Sequence, residues 1–581
     1  MPRTGSSAVG GRDDPFRPSV TQAEVVMGSL ESFVGEQLGT WEVPGCAVAV
    51  LHQGEVVLEA GFGTCELGAD SPVTPRTVFP IGSTTKSFTA ALVGSLVDEG
   101  VLAWDTPLRD LLPGFQMHDP VATERLTVVD LLSHRSGIPR HEFVWLGHPE
   151  RTRADIAPRL RHLASSKDIR EAFQYSNLGY MTVGHLVEVL TRTSWEDLTA
   201  SRLLKPLGME RSNFSVSDVQ RSDDFSLPHE RRDGAIVRIP FREFDQVGPA
   251  GSINSSAEDM LGWLRANLGN EPAVVSLETL TRAHTAQITI PEDKTFPEST
   301  RFGYGMGWLI GQYRGHRIVE HNGGVDGFLA DCMLLPDDGI GVVVLTNFWS
   351  GLGPAVAYRA FDELLGLDPI DWTGRLKERF DVLLSGEKPT VDRPRIPDAP
   401  PLRKPEDYAG TYEHAGYGSF SISADGERLV PSFGTLELSL EHRHYDVFDL
   451  EWHEVASQRI SFPLTFLTSP DGSVGAITVP FEDSVEPIRF DRRPDAIDGA
   501  TLALLAGTYV MGPIEITIAV TAGGVLTAAL AGQPSAELIA TRGLRFSVKE
   551  SPSQTLEFVR DANGTVEKIL VPNVGELTPK R

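Results

Sequence analysis

The stretch "VFPIGSTTKSFTAALVGSLVDEG" (residues 78–100) sets Ser83 and Lys86 three positions apart, just after Gly82. Phe88, Leu92, Val93, Leu96 and Val97 then recur at helical spacing. The stretch therefore reads as a glycine-marked turn running into a helix. Residues three apart share a helix face, so Lys86 can bring its amine to the Ser83 hydroxyl. Free N–H groups at a helix start favour developing negative charge. A serine is a weak nucleophile until a neighbour takes its proton, and a lysine can do so once burial lowers its proton affinity. Taken alone, the pair is common and reads better as a helix cap and a solvated surface charge.

Two distant segments change that balance. "FQYSNLGY" supplies Tyr175 and Asn177 ahead of another helical pattern, and "VEHNGGVDGF" supplies His321, Asn322 and Gly323 at the end of a predicted strand. Each has a structural reading: a buried aromatic, a helix cap, a strand-end histidine. The three elements in this order point to one assembled site.

Around them the apolar pattern predicts a helix over residues 21–38 and two strands about the Gln53–Gly54 turn in "GCAVAVLHQGEVVLEAGFG". "HRIVEHNG", "LADCMLLP" and "IGVVVLTNF" read as three further strands, the last two joined by "DDG". Leu178 to Leu190 reads as a helix, and "NSSAEDMLGWLRANLG" opens with Ser256 and Asp259 in a capping-box pattern. Strands from both ends thus bracket a helical middle. The residues alone suggest a mixed sheet flanked by helices.

After about Leu384 the texture changes. Six prolines between Pro389 and Pro405 mark a stiff linker. Beyond it the alternation has period two, and a repeat appears. "YAGTYEHAGYGSFSISADG" begins at Tyr408 and "LAGTYVMGPIEITIAVTAGG" at Leu505; "PDGSVGAITVP" and "DANGTVEKILVP" close the two copies at Pro480 and Pro572. Two related β modules are expected, each closed into a small barrel that removes its edges. The boundaries read as a disordered tail over 1–20, a catalytic domain over 21–384, a linker over 385–404 and modules over 405–495 and 496–581.

A chain of 581 residues holds more than one core. Its formal net charge of -27 argues against nucleic acid or an anionic membrane as main partner. Cys46, Cys65 and Cys332 form no metal-ligand spacing and suit a reducing compartment. The start "MPRTGSSAVGGRDDPFRPSV" lacks the apolar run of a signal peptide, so a cytoplasmic address is expected.

The three motifs resemble those of the serine β-lactamase and penicillin-binding-protein family, in its class C β-lactamase-like branch. "TVFPIGSTTKSFTA", "LTVVDLLSHRSGIP", "VGPAGSINSSAEDM" and "LLPDDGIGVVVLTN" carry the same likeness. The resemblance implies an antiparallel sheet flanked by helices with a helical subdomain. The β modules resemble the lipocalin-like barrels of D-aminopeptidases. Ser83 would be the acylated nucleophile and Lys86 its proton acceptor or relay. Tyr175 would be general base and acid, its phenolate favoured by the lysine. Asn177 would hold Lys86 and bind a substrate amide. His321, Asn322 and Gly323 would bind substrate, and the N–H groups of Ser83 and Gly324 would form the oxyanion hole. No cofactor or metal is implied.

Where β-lactamases carry K-T-G, this chain has His321 and Asn322, an imidazole largely neutral at pH 7 in place of a fixed cation. That disfavours carboxylate recognition. The expected activity is hydrolysis of short peptides or amides, with D-residues or a free amino terminus in view. A carboxylesterase or weak β-lactamase, aminolysis, and a non-catalytic binding protein are the alternatives. A homo-oligomer is compatible with the sequence. The barrels read either as spacers or as a lid whose Glu413, Asp425 or Asp471 pairs with a substrate ammonium.

Overall fold

The computed structural model describes residues 20–270, 273–291, 295–384, 395–453, 459–470, 472–495 and 497–580. The expected tail (except Val20) and the linker before residue 395 lie outside them. The described residues divide into two compact units, 20–384 and 395–580.

In the first unit, α1 (Val20–Trp41) precedes the strands β1 (Gly45–His52) and β2 (Glu55–Gly63). Gln53 and Gly54 both take positive φ, the geometry of the tight turn predicted there. Then follow α2 (Thr85–Asp98), α3 (Asn177–Thr191) and α4 (Ala257–Asn267). The strands β3 (Ile288–Thr289), β4 (Ser299–Tyr304), β5 (Leu309–Tyr313), β6 (His316–Val325), β7 (Phe328–Leu335) and β8 (Ile340–Thr346) come next, then α5 (Leu352–Leu365) and α6 (Trp372–Leu384). The eight strands form one sheet in the order β2-β1-β8-β7-β6-β5-β4-β3. Every pairing in it is antiparallel, so the mixed sheet suggested by the residues alone gives way to the antiparallel one implied by the resemblance.

β1, β7 and β8 are buried along their whole length. Ala47, Ala49, Leu51, Val343 and Leu345 face the core that holds α2 and α4, while Cys46, Val48, Val50, Val342 and Val344 face the core that holds α1 and α5. Two buried faces explain why these strands read as continuous apolar runs. The helix α2 is likewise sequestered beyond its predicted apolar face: Thr85, Lys86, Ser87 and Thr89 are buried with Phe88 and Leu92. Phe88 stacks on Trp263 of α4 at 3.7 Å. Ser256 caps α4, its Oγ accepting from Asp259 N–H at 3.1 Å. The Asp259 carboxylate instead accepts from Arg211 N–H, Ser212 N–H and Ser212 Oγ, so the expected capping box is only half formed.

In the second unit the strands from Gly507–Met511 to Gly575–Pro579 form a closed eight-stranded barrel. The strands between Gly410–His414 and Ile488–Arg492 form an eight-stranded sheet that likewise pairs first strand against last, but Arg428–Ser432 and Leu438–His444 stand at its two ends without pairing to each other, so the barrel expected of this module is not hydrogen-bonded shut. The repeated Ala-Gly-Thr-Tyr does the same work twice. A short helix (Pro405–Tyr408, Gly499–Leu505) leads into the first strand of each copy. The repeat tyrosine then donates to the carbonyl four residues earlier: Tyr412 Oη to Tyr408 O at 2.6 Å and Tyr509 Oη to Leu505 O at 2.9 Å. The duplication read from the sequence is a duplication of structure.

Candidate active site

Three segments meet at Ser83. The short strand Phe79–Pro80 pairs with Asn254–Ser255, and Ile81 N–H donates to Ile253 O at 2.9 Å. This ties the turn before Ser83 to the 248–255 segment. Ser83 itself lies in a 3₁₀ turn (Gly82–Thr84) that continues into α2. Gly82 has φ +49°, and a Cβ there would stand 2.8 Å from Gly323 C; a Cβ on Gly323 would stand 1.8 Å from Ile81 O and 2.7 Å from Ser83 N. Only glycines allow the two backbones to approach this closely. The amides of Ser83 and Gly324 are thereby brought to one edge of β6.

Lys86 is fully buried. Its Nζ donates to Ser83 Oγ at 2.9 Å and to Ala250 O at 2.8 Å. Among the described residues no carboxylate pairs with it directly. Burial drives its pKa well below the ordinary lysine range; Glu142 opposes that shift and Arg140 adds to it.

The Tyr175 ring centroid lies 4.8 Å from Lys86 Nζ. Burial pushes the Tyr175 pKa upward, against the pull of the Ser83 side chain and of Arg140. Burial of the tyrosine thus works against the expected phenolate.

Asn177 opens α3, and its Nδ2 donates to the Glu142 carboxylate at 3.1 and 3.3 Å. The lysine it was expected to hold is held by Ser83 and the Ala250 carbonyl. Arg140 Nε donates to the same carboxylate at 2.9 Å, and its guanidinium lies 5.2 Å from the Tyr175 ring centroid.

His321 is buried, 3% exposed. Its Nδ1 faces Asn322 O at 2.6 Å and its Nε2 faces Tyr304 Oη at 2.9 Å. A carbonyl cannot donate, so the proton sits on Nδ1 and Nε2 accepts from the tyrosine. Burial, with Lys86 second, lowers its pKa to about 3, so the ring is neutral, as expected. Asn322 is exposed and pairs across the sheet with Asp331.

Four contributors escaped the sequence reading: the Ala250 carbonyl, His134, Arg140 and Glu142. Ala250 and His134 lie inside stretches that carried the family resemblance, but nothing local marked their roles. Glu142 meets Asn177 across 35 positions of chain, and no spacing rule reaches that far. Of the carboxylates weighed for ammonium recognition, Glu413 ion-pairs with Arg493 at 3.1 Å, Asp425 closes a hairpin opposite Arg428, and Asp471 lies outside the described residues.

Comparison with known proteins is consistent with this arrangement. The β-lactamase family matches residues 30–366, and a domain of unknown function (DUF3471) matches residues 394–492. An unguisins hydrolase of Aspergillus campestris is 30% identical over 489 residues, spanning 78% of this chain and 89% of that one. Penicillin-binding protein 4 of Amycolatopsis lactamdurans is 30% identical over 383 residues, spanning 64% of this chain and 94% of that one. The structure of an octameric penicillin-binding protein homologue from Pyrococcus abyssi superposes with a TM-score of 0.54 at 24% identity, covering 87% of this chain and 99% of that one.

Proposed function

The chain belongs to the β-lactamase family of serine hydrolases, and from that premise we propose that it cleaves amide bonds in short peptides through an acyl-enzyme on Ser83. The observation that carries this reading is the buried Lys86 amine, 2.9 Å from Ser83 Oγ and without a direct carboxylate partner among the described residues. An amine whose proton affinity burial has lowered is, at that distance, a base for the serine proton.

Ser83 Oγ attacks the carbonyl carbon as its proton passes to Lys86 Nζ. The N–H groups of Ser83 and Gly324 stabilise the oxyanion. Tyr175, still protonated, gives its proton to the departing nitrogen and regains one from the Lys86 ammonium beside its ring. Water then releases the acyl group by the same path in reverse. The neutral His321 supplies no fixed charge for a substrate carboxylate, which disfavours β-lactam and stem-peptide carboxylate recognition. Glu142, held by Arg140 and Asn177, is the carboxylate that a free amino end would share in this reading.

The test is cleavage, followed by mass spectrometry, of L- and D-peptides with free or acetylated amino ends and of simple aryl esters, each beside Ser83→Ala. Serine-dependent amide cleavage is expected. Ester cleavage with every peptide left intact would make the chain an esterase instead.

A further inference from the structure

We infer that His134 is a positioning residue that holds Tyr175 in register for proton delivery to the leaving group; this rests on the reading of Tyr175 given above. Residue 134 takes φ +57°, an uncommon left-handed conformation for a residue other than glycine. The chain adopts it while burying the imidazole to 1% exposure. From there the residue grips the Tyr175 segment at two points. Its carbonyl accepts from Gln174 N–H at 2.7 Å, and its Nδ1 accepts from Ser176 N–H at 3.1 Å. Tyr175 is thus held by bonds to the residue on either side of it. The rings themselves lie 4.3 Å apart, centre to centre.

Three further aromatic rings pack near it: Tyr304 at 4.8 Å, Tyr180 at 5.2 Å and Phe173 at 5.6 Å. Since Nδ1 accepts, Nε2 carries the proton, yet Nε2 is buried without a hydrogen-bond partner among the described residues. An orphaned buried donor costs stability. A phenylalanine would fill the same box without that cost, but it could not accept from Ser176. The site therefore retains the one aromatic ring that packs like its neighbours and also accepts a backbone proton. Burial, and the approach of Lys86, hold the imidazole well below its ordinary pKa, so Nδ1 stays free to accept.

Amide and aryl-ester substrates separate positioning from general damage, because an amine leaves only when protonated and a phenolate leaves unaided. His134→Phe should lower kcat/KM for amides by about 10–100-fold, within the span of general acid catalysis, and that for aryl esters by less than about 3-fold. His134→Asn, which tolerates left-handed backbone and offers an oxygen to Ser176 N–H, should recover most of the amide rate. Equal losses on both substrates in the folded His134→Phe protein, or no recovery in His134→Asn, would overturn the assignment. Failure of the parent to cleave any amide would instead sink the functional reading, and the two failures are distinguishable.

Discussion

Lys86 shows how surroundings, not identity, set a side chain's chemistry. The same residue on an open helix face would be a solvated cation; here it is buried and its pKa is driven well below the ordinary lysine range. Its proton affinity falls on folding, so the residue costs stability wherever the unfolded chain holds it charged. Lys86→Met should therefore keep or raise Tm while losing about 10²–10⁴-fold in kcat/KM. A fully active Lys86→Met protein would remove the lysine from the mechanism. In the parent, activity should fall as pH falls and the amine takes up a proton; a pH–rate profile with no acid limb would contradict the assignment. Glu142→Gln should narrow the preference for free over acetylated amino ends without abolishing acylation of Ser83, read by comparing the paired peptides.

Elements carry these residues into place, and one buried ion cluster braces the element that matters most. Asp130 is fully buried and accepts from Arg135 Nε at 2.7 Å and from Arg170 Nε and Nη2 at 2.8 Å. Burial alone would raise its pKa, but the hydrogen bonds from Arg170, Thr127 and Arg135 outweigh it and hold the carboxyl below its ordinary range. Arg170 N–H in turn donates to Arg135 O at 2.7 Å, so the cluster joins the His134 loop to the approach to Tyr175. Asp130→Ala leaves two guanidiniums facing an empty site and should cost about 3 kcal/mol, measured by denaturant titration. That contribution is present above the ordinary aspartate pKa and is lost as acid protonates the folded carboxyl. In the β modules, Tyr412→Phe and Tyr509→Phe should each cost about 1 kcal/mol, since each removes one equivalent hydrogen bond. Very unequal losses would mean the repeat is not equivalent in energy.

Across the whole molecule, pH acts through groups buried in unusual states. Burial, with Glu320 adding, raises Asp331 from its ordinary 3.8 to about 8. Between those values the folded chain holds a proton that the unfolded chain has released, so stability falls as pH rises through that window. His284 and His321, both lowered from 6.5 to about 3 by burial, act in the other direction: between those values stability falls as pH falls. Asp331→Asn should remove the alkaline decline, so that Tm at pH 8 approaches Tm at pH 6.5; an unchanged difference would assign the decline elsewhere. Removal of the residues after Leu384 should leave Ser83 reactive toward a fluorophosphonate probe, because both cores of the first unit lie before that point. Such a chain should also keep its preference for free amino ends if Glu142 supplies it. Loss of that preference alone would return the barrels to a role in recognition.

Much of this was legible in the chain because it is local. The serine–lysine spacing, the tyrosine ahead of α3, the glycines at the end of β6 and the two Ala-Gly-Thr-Tyr repeats all act within a turn or two of themselves. Local spacing is what sequence periodicity reports. The antiparallel sheet was harder to read: strands buried on both faces lose the alternation that would reveal their pairing. The charge states of Lys86, Tyr175 and Asp331 were harder still, because desolvation depends on everything packed around a group. So did the partners of Asn177 and the bracing of Tyr175 by His134, which join segments 35 and 42 positions apart. Residue types and their short-range order named the chemistry available to this chain; burial and long-range contact decided which groups carry a proton and which one hands it on.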